Sequence, residues 1–328
     1  MSKTDITDAD LRAHILEAKA ILPSFGERMV IGYLNSVDVR VSRQRIRECI
    51  RIIDPHGVTE RRDLTRKRIK RRVYSVPYPL HTWHLDGNHK LRRWKLVIHV
   101  GMDGFTRLCV YMRCSDNNRA STVAEYFTEA IEVMQVAPTR VRTDHGLENS
   151  LVWSVMQNHK DGETDPVVVG SSVHNQRVER FNRDLNRSIR TKYGDIFYDL
   201  ENDRLLNIDS AEDMFALHYV YIPRINADLA LLQKSHNHHP IQTERNRTPH
   251  QLLAENWHLR NDQTITPSPL PHFPSSTGPG ISPENVVITG GMFAELKEQI
   301  NPLHDDGNHG RALYLTVRSF VHACNGTM

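Results

Sequence analysis

The chain has 328 residues, enough for two or three domains and a substantial buried core. Lys+Arg 42 against Asp+Glu 39 leaves a net charge of +3, so overall charge does not mark a nucleic-acid binder and local clustering has to be read instead. Four cysteines without CxxC spacing, no run of 18 apolar residues and no charged-then-apolar leader argue against a disulfide scaffold, a membrane span and secretion; the expectation is a soluble intracellular protein.

Asp8 to Ile21 reads as a helix, with Leu11, Ile15, Leu16, Ala18 and Leu22 towards one side, and Pro23 to Gly26 break it. A second helix runs from Glu27 to about Leu34. Ser42 can cap a third, Arg43 to Ile53, which Pro55 and Gly57 end. There Ile46, Ile50 and Ile53 form an apolar stripe beside a basic one of Arg43, Arg47 and Arg51. Three short helices with a basic last member fit a helix-turn-helix whose final helix enters the major groove; a small bundle with a solvated arginine face is the alternative. Arg61, Arg62, Arg66, Lys67, Arg68, Lys70, Arg71 and Arg72 then form a dense basic run. It suits a phosphate-tracking linker, a nuclear import signal or a solvated face equally.

After Pro77 and Pro79 come three candidate strands, Thr82–Asp86, Leu96–Val100 and Arg107–Arg113, as an antiparallel meander. A helix over Ala120–Val136, a strand over Val141–Asp144, a helix over Glu148–His159, a strand over Val167–Val169 and a helix from Asn175 to about Tyr193 follow. Further on, a helix from Ser210 through Tyr221 should break at Pro223, and Arg224 to His236 should form another. Asn237 to Pro240 reads as a turn, and His236, His238 and His239 belong to the helix end and this turn rather than to a metal, since no Cys or acid lies at zinc-like spacing. Thr248-Pro249 caps a helix through Trp257. Thr264 to Pro283 is a Pro/Ser/Thr-rich linker, Met292–Ile300 a short helix, and the final residues carry no readable motif. The expected domains are therefore a helix-turn-helix domain over 1–58, a basic linker over 59–78, a core over 79–200, its helical extension over 201–260, and a linker with a poorly defined tail over 261–328.

Three acids stand out. Asp86 and Asp144 each close a β-branched or aromatic run just before a turn, and Glu179 sits one turn into a helix. Taken singly, each reads as a cap or turn residue, as Asp103 (hairpin turn) and Asp116 (helix cap) do. Together they supply the oxygen ligands that hard divalent cations need. Asp144 and Glu179 differ by 179 − 144 = 35 positions. This trio, with Trp83-His84-Leu85-Asp86-Gly87-Asn88-His89-Lys90-Leu91 and Asn175-Gln176-Arg177-Val178-Glu179-Arg180, resembles the integrase core of retroviral integrases and DDE transposases, closest to those of eukaryotic mobile elements. The ending Asn237-His238-His239-Pro240 … Thr248-Pro249 is similar as well. Two departures are visible: the last spacing is one residue shorter than is usual in retroviral integrases, and their zinc-binding His/His/Cys/Cys head is missing.

The resemblance implies an α/β, ribonuclease-H-like core, a mixed five-stranded sheet with flanking helices, preceded by a small all-α helix-turn-helix domain. Its first and fourth strands would be neighbours, which would set Asp86 beside Asp144 with Glu179 swung in from its helix. It further implies a polynucleotidyl transferase that uses two Mg²⁺ or Mn²⁺ ions, bridged by Asp86 and Asp144, with Glu179 on the second. Such an enzyme cuts a strand and then transfers the 3′ hydroxyl to target DNA without a covalent protein–DNA intermediate. It acts as a homo-oligomer on element ends and target DNA, in the nucleus of a eukaryotic host and otherwise in the cytoplasm. A plain metal-dependent nuclease of the same fold and a domesticated DNA-binding protein without catalysis remain as competitors. Whether Asp144 or Glu148 is the second ligand is open, the strand end favouring Asp144. Asn175, Glu179, Arg183 and Asn186 share one helical face, so Asn175, Arg183 and Asn186 join Arg43, Arg47, Arg51, Lys67, Arg68 and Lys90 as candidate DNA contacts. His84, His145 and His174 flank the acids, and the metals need none of them.

Overall fold

The computed structural model describes residues 4–57, 75–144, 146–159, 167–169, 176–260, 281–282 and 285–326, without the side chains of Val169, Gln176, Arg177 and Glu179. Three helices open the chain: α1 (Asp8–Ile21), α2 (Glu27–Ser36) and α3 (Arg43–Ile53). The side chains of Thr7 and Ser42 cap α1 and α3, accepting from the backbone N–H groups of Asp10 and Arg45. Leu11, Ile15, Val30, Leu34, Ile46 and Ile50 close the bundle.

The sheet contains β1 (Thr82–Asn88), β2 (Val97–Asp103), β3 (Cys109–Ser115), β4 (Arg140–Thr143) and β5 (Val167–Val169), in the order β3-β2-β1-β4-β5. β1, β2 and β3 pair antiparallel, whereas β4 is parallel to β1 and β5 to β4. This mixed sheet with helices on both faces is a ribonuclease-H-like fold. Side chains two apart share a face. Trp83, Leu85, Val110 and Val141 meet α4 (Ala120–Met134) and α5 (Ser150–His159) in one apolar cluster. Ile98, Val100 and Met102 belong to the other, with α6 (Gln176–Leu185), α7 (Thr191–Asn202), α8 (Ala211–Asn237) and the N-terminal bundle.

Between α6 and α7 the backbone continues through a π-helical segment, Asn186–Arg190. The reason is in the spacing of Phe181, Leu185, Ile189, Tyr193 and Phe197, all buried and all four apart. In an α-helix each such step drifts by about 40°, so four steps would carry the stripe off its face. A wider π turn takes back much of that drift.

Helix α8 corrects one expectation: it runs unbroken through Pro223. An interior proline costs roughly 3 kcal/mol. Every residue from Asp213 to Pro223 is buried, and burial at roughly 25 cal/mol per Å² of apolar surface outweighs that loss. α8 lies along the edge strand β3 and bonds its backbone through carboxamides. Asn237 accepts from Cys109 N–H (2.9 Å) and donates to Cys109 C=O (3.0 Å), which also accepts from Gln233 (2.9 Å). Asn226 repeats the pair on Cys114, accepting at 2.8 Å and donating at 3.1 Å. Cys109 and Cys114 are an odd number of positions apart, yet both turn their backbone outwards. A register shift makes this so: Gly101 faces Tyr111 and Met102 faces Cys109, leaving Val110 as the extra residue.

The bundle docks on α8 where α2 carries Gly32. A Cβ there would lie 2.0 Å from the Ser235 carbonyl oxygen, so no larger residue permits the approach. After α9 (Pro249–Asn256), the C-terminal part holds α10 (Gly290–Gln299) and α11 (Arg311–Gly326). Where no motif was readable, α11 thus forms and buries Tyr314, Val317 and Val321. Asp213, at the start of α8, accepts from Arg318 (2.6 Å) and His322 (2.8 Å) on α11. Burial opposes ionisation of Asp213, but those two partners hold its carboxyl below the ordinary range. Asp116 caps no helix: its carboxylate accepts from the Ser282 N–H (2.7 Å) and the Asn285 amide (2.7 Å), anchoring the returning chain. No helix among the described residues is long and apolar enough to cross a membrane.

Candidate active site

Asp86 follows three buried residues of β1, Trp83, His84 and Leu85, and lies on the opposite face from Trp83 and Leu85 by strand alternation. Thr82 pairs with Arg140 and His84 with Arg142, an offset of 140 − 82 = 58. The same offset carries Asp86 to Asp144 (144 − 86 = 58), the first residue past β4. Continued past the last printed pair, this register sets the two residues level towards the carboxyl ends of neighbouring parallel strands. This is where the chain order reverses, β2 and β3 lying on one side of β1 and β4 and β5 on the other. Open α/β sheets place ligand sites at such crevices. Both acids are half-buried.

Helix α6 packs on this face. Asn182 donates to Asp86 Oδ2 (2.5 Å). Asn88, two residues past Asp86 and on its face, donates to Asn182 Oδ1 (3.3 Å) and Asn186 Oδ1 (2.9 Å) and accepts from the Lys90 N–H (3.2 Å). Across the crevice Asn149 donates to Asp144 Oδ1 (3.4 Å), and the Thr143 hydroxyl donates to the Asp144 carbonyl (3.0 Å). Glu179 sits on α6 one turn before Asn182; its side chain lies outside the described residues. Among the described residues no three His, Cys, Asp or Glu side chains gather as a metal site, a set that does not include Glu179. Glu148 folds back, its carboxylate 2.0–2.4 Å from where a Cβ on Gly146 would stand. The β1/β4 register, continued past Arg142, runs from Asp86 to Asp144.

The remaining candidate residues separate into distinct places. Arg43 pairs with Glu27 on α2, and so does Arg47 at 3.0 Å. Burial raises the Glu27 carboxyl, but Arg47 and Arg43 outweigh it and hold it below the ordinary range. Arg45 binds Asp8 and the Ile6 carbonyl (2.8 Å), whereas Arg51 is exposed. Lys90 is exposed just past β1, while its neighbour Arg93 is engaged by Glu201 at 2.5 Å. Asn186 turns inwards to Asn88 and Arg183 outwards to solvent. Lys67, Arg68, Asn175, His145 and His174 lie outside the described residues. His84 is buried in the sheet. His236 and His238 each meet a backbone carbonyl, of Arg107 (2.9 Å) and Lys234 (2.8 Å), and His239 meets that of His236 (2.5 Å). Bonding a carbonyl makes each of those ring nitrogens a donor.

Sequence reading missed Asn88 and Asn149. Asn88 was within reach of strand parity, being two residues from Asp86. Of a second basic stripe it named only Arg183 as a candidate contact: Arg180, Arg183 and Arg190 are exposed and Arg187 half-buried along α6 and the π segment. None of the four has an ion-pair partner among the described residues, and Asp184 is the acid on which Arg180, Arg183 and Arg187 act electrostatically.

The integrase core domain family matches residues 73–266 of the chain. That is more than half of its length, and the protein belongs to the integrase core domain family. No curated protein matches it in sequence. A chain of the simian T-cell lymphotropic virus intasome in complex with PP2A regulatory subunit B56 gamma, solved by electron cryo-microscopy, overlays 66% of this chain and 70% of its own at 17% identity and a TM-score of 0.38.

Proposed function

We propose that this protein is a DDE-type integrase or transposase, a polynucleotidyl transferase that cuts DNA and joins the freed 3′ end to a target. The observation that supports the reading is the β1/β4 register, which when continued sets Asp86 level with Asp144, while Asn182 of α6, one turn from Glu179 in the helix, bonds Asp86. Two level carboxylates repel each other unless a cation lies between them. An oxygen-only donor set suits Mg²⁺ or Mn²⁺, and Asp86, Asp144 and Glu179 would supply the oxygens to hold two such ions. When bound, the ions supply charge stabilisation for the attacking and leaving oxygens of an in-line displacement.

The protein groups have separate tasks. Asn182 orients Asp86 and Asn149 restrains Asp144. Arg183, with Arg180, Arg187 and Arg190, offers positive charge to backbone phosphates beside the acids. Arg43, Arg47 and Arg51 would approach DNA from the helix-turn-helix bundle, once DNA phosphate competes with Glu27 for the first two. Lys90 serves at the rim of the crevice. Residues 1–58 are proposed as the DNA-reading unit, 59–78 as a basic linker with Lys67 and Arg68 on phosphate or in nuclear import, and the working assembly as at least a dimer.

The test is a gel assay of labelled generic duplex with Mn²⁺, comparing wild type with Asp86→Asn, Asp144→Asn and Glu179→Gln. Longer, joined products from wild type alone, with each variant at background, support strand transfer. Shortened products only would make the protein a nuclease of this fold. Activity that survives all three substitutions would remove these residues from the site.

A further inference from the structure

Asp86 is held by a chain of amides whose direction is fixed at both ends. At one end stands the Lys90 N–H, which can only donate, so it must face Asn88 Oδ1 (3.2 Å). That orientation turns the Asn88 NH₂ inwards, where its two hydrogens meet two acceptors, Asn182 Oδ1 (3.3 Å) and Asn186 Oδ1 (2.9 Å). Asn182 Oδ1 is thereby an acceptor, and its NH₂ is left facing Asp86 Oδ2 (2.5 Å). An ionised carboxylate only accepts, so the far end demands the same direction. Turning over any one amide would set NH₂ against NH₂ or oxygen against oxygen. The residues come from two elements: Asn88 from β1, 7% exposed, and Asn182 and Asn186 from α6 and the π segment after it.

We propose that Asn88 and Asn182 form a directed amide relay that fixes the orientation of the Asp86 carboxylate and the distance of helix α6 from strand β1. Asn182 touches the acid; Asn88 acts through Asn182 and is a positioning residue. Glu179 is one helical turn from Asn182, so the bond that orients the first acid also sets the seat of the third. The π segment contributes here: it begins at Asn186, four residues after Asn182, and both reach the same Asn88 amide. A free Asp86 would sample several rotamers, and a cation site loses affinity when its ligands have to be ordered on binding. This inference rests on the reading of Asp86 as a ligand and adds the device that preorganises it.

The test uses the full chain with Asn88→Leu, Asn182→Leu and the double variant, and reads Mn²⁺ affinity by calorimetric titration beside the cleavage rate at saturating Mn²⁺ and DNA. Each single variant should weaken Mn²⁺ binding by about 10- to 100-fold, the range for partners that orient a metal ligand, with the KM for DNA unchanged. Because Asn88 works through Asn182, the double variant should be no worse than Asn182→Leu alone. If the leucine at 88 prevents folding, Asn88→Ser, which also removes both amide donors, takes its place. A lowered melting temperature with wild-type Mn²⁺ affinity would show that Asn88 only packs, and multiplying losses in the double variant would show that the two act independently; either overturns the relay. If wild-type Mn²⁺ binding does not depend on Asp86, judged with Asp86→Asn, the catalytic reading falls and the relay with it. If it does depend on Asp86 and Asn88→Leu binds as wild type does, the relay alone falls.

Discussion

Two helices reach the sheet with carboxamides, and they use them differently. On α8, Asn226, Gln233 and Asn237 are almost wholly buried and bond the backbone of β3, doing what a sixth strand would do for that edge. On α6 and the π segment, Asn182 and Asn186 are half-buried and bond the side chains of Asp86 and Asn88. A backbone partner is present whatever the sequence of β3, so the α8 array serves the fold. In the function proposed above the carboxylate partner at the crevice bears the chemistry, so on that reading the α6 array serves the site. The residue type is the same, and the partner decides the role.

That difference can be broken by experiment. The largest effect on stability should come from Asn237→Leu, which leaves the Cys109 N–H buried without its acceptor; a loss of about 2–3 kcal/mol is expected in urea unfolding. Mn²⁺ affinity should stay within about twofold of wild type on the same reasoning, since α8 bonds no acid of the crevice. A variant that lost Mn²⁺ binding while keeping its stability would erase the distinction between the two helices.

A second effect follows from histidines around α8. Burial, with His239 and Arg107 nearby, pushes His236 down to about 3, and burial with His238 beside it pushes His250 to about 3. His99 is pushed to about 4 by burial in the sheet. Their unfolded value is 6.5, so between these limits the unfolded chain binds more protons than the folded one. Stability from these groups is therefore complete above pH 6.5 and is lost as pH falls towards 3 to 4. Each contributes up to about 1.4 kcal/mol per pH unit in that window. His236→Gln keeps a donor for the Arg107 carbonyl and should flatten the slope of stability against pH by close to one proton. An unchanged slope would mean that His236 is protonated in the native protein.

The smallest effect sharpens the contrast between the two basic stripes. Arg43 and Arg47 already have Glu27, whereas Arg183 has no ion-pair partner among the described residues. Arg183→Gln should lower the slope of log K against log salt for duplex binding by about 0.9, one phosphate contact. Arg43→Gln should lower it by less, because DNA must first displace an acid. Equal changes from both would show that Glu27 does not compete.

Much of the candidate site was legible because its signals are local. The alternation around Trp83 and Leu85 puts Asp86 on the other face, and the short β-branched run before Asp144 ends in a turn. The three N-terminal helices were also readable, the first through its apolar stripe and the third through the cap at Ser42 and the stripe behind it. Pro223 misled the reading because propensity is a local quantity, whereas the burial that overrides it comes from the sheet, the bundle and α11 at once. Asp116 misled it for a similar reason: its partners, Ser282 and Asn285, are 282 − 116 = 166 and 285 − 116 = 169 positions away.

By itself the sequence determined most of the elements up to Pro223, the faces that they must bury and the family to which the chain belongs. Only the tertiary structure decided which acids stand level, which arginines are neutralised by Glu27 and Asp8, and which amides hold the backbone of β3 or the carboxylate of Asp86. The physical reason is reach. Periodicity and caps act over a few residues, while strand register and hydrogen-bond direction join groups dozens of positions apart, and those relations exist only once the chain has closed on itself.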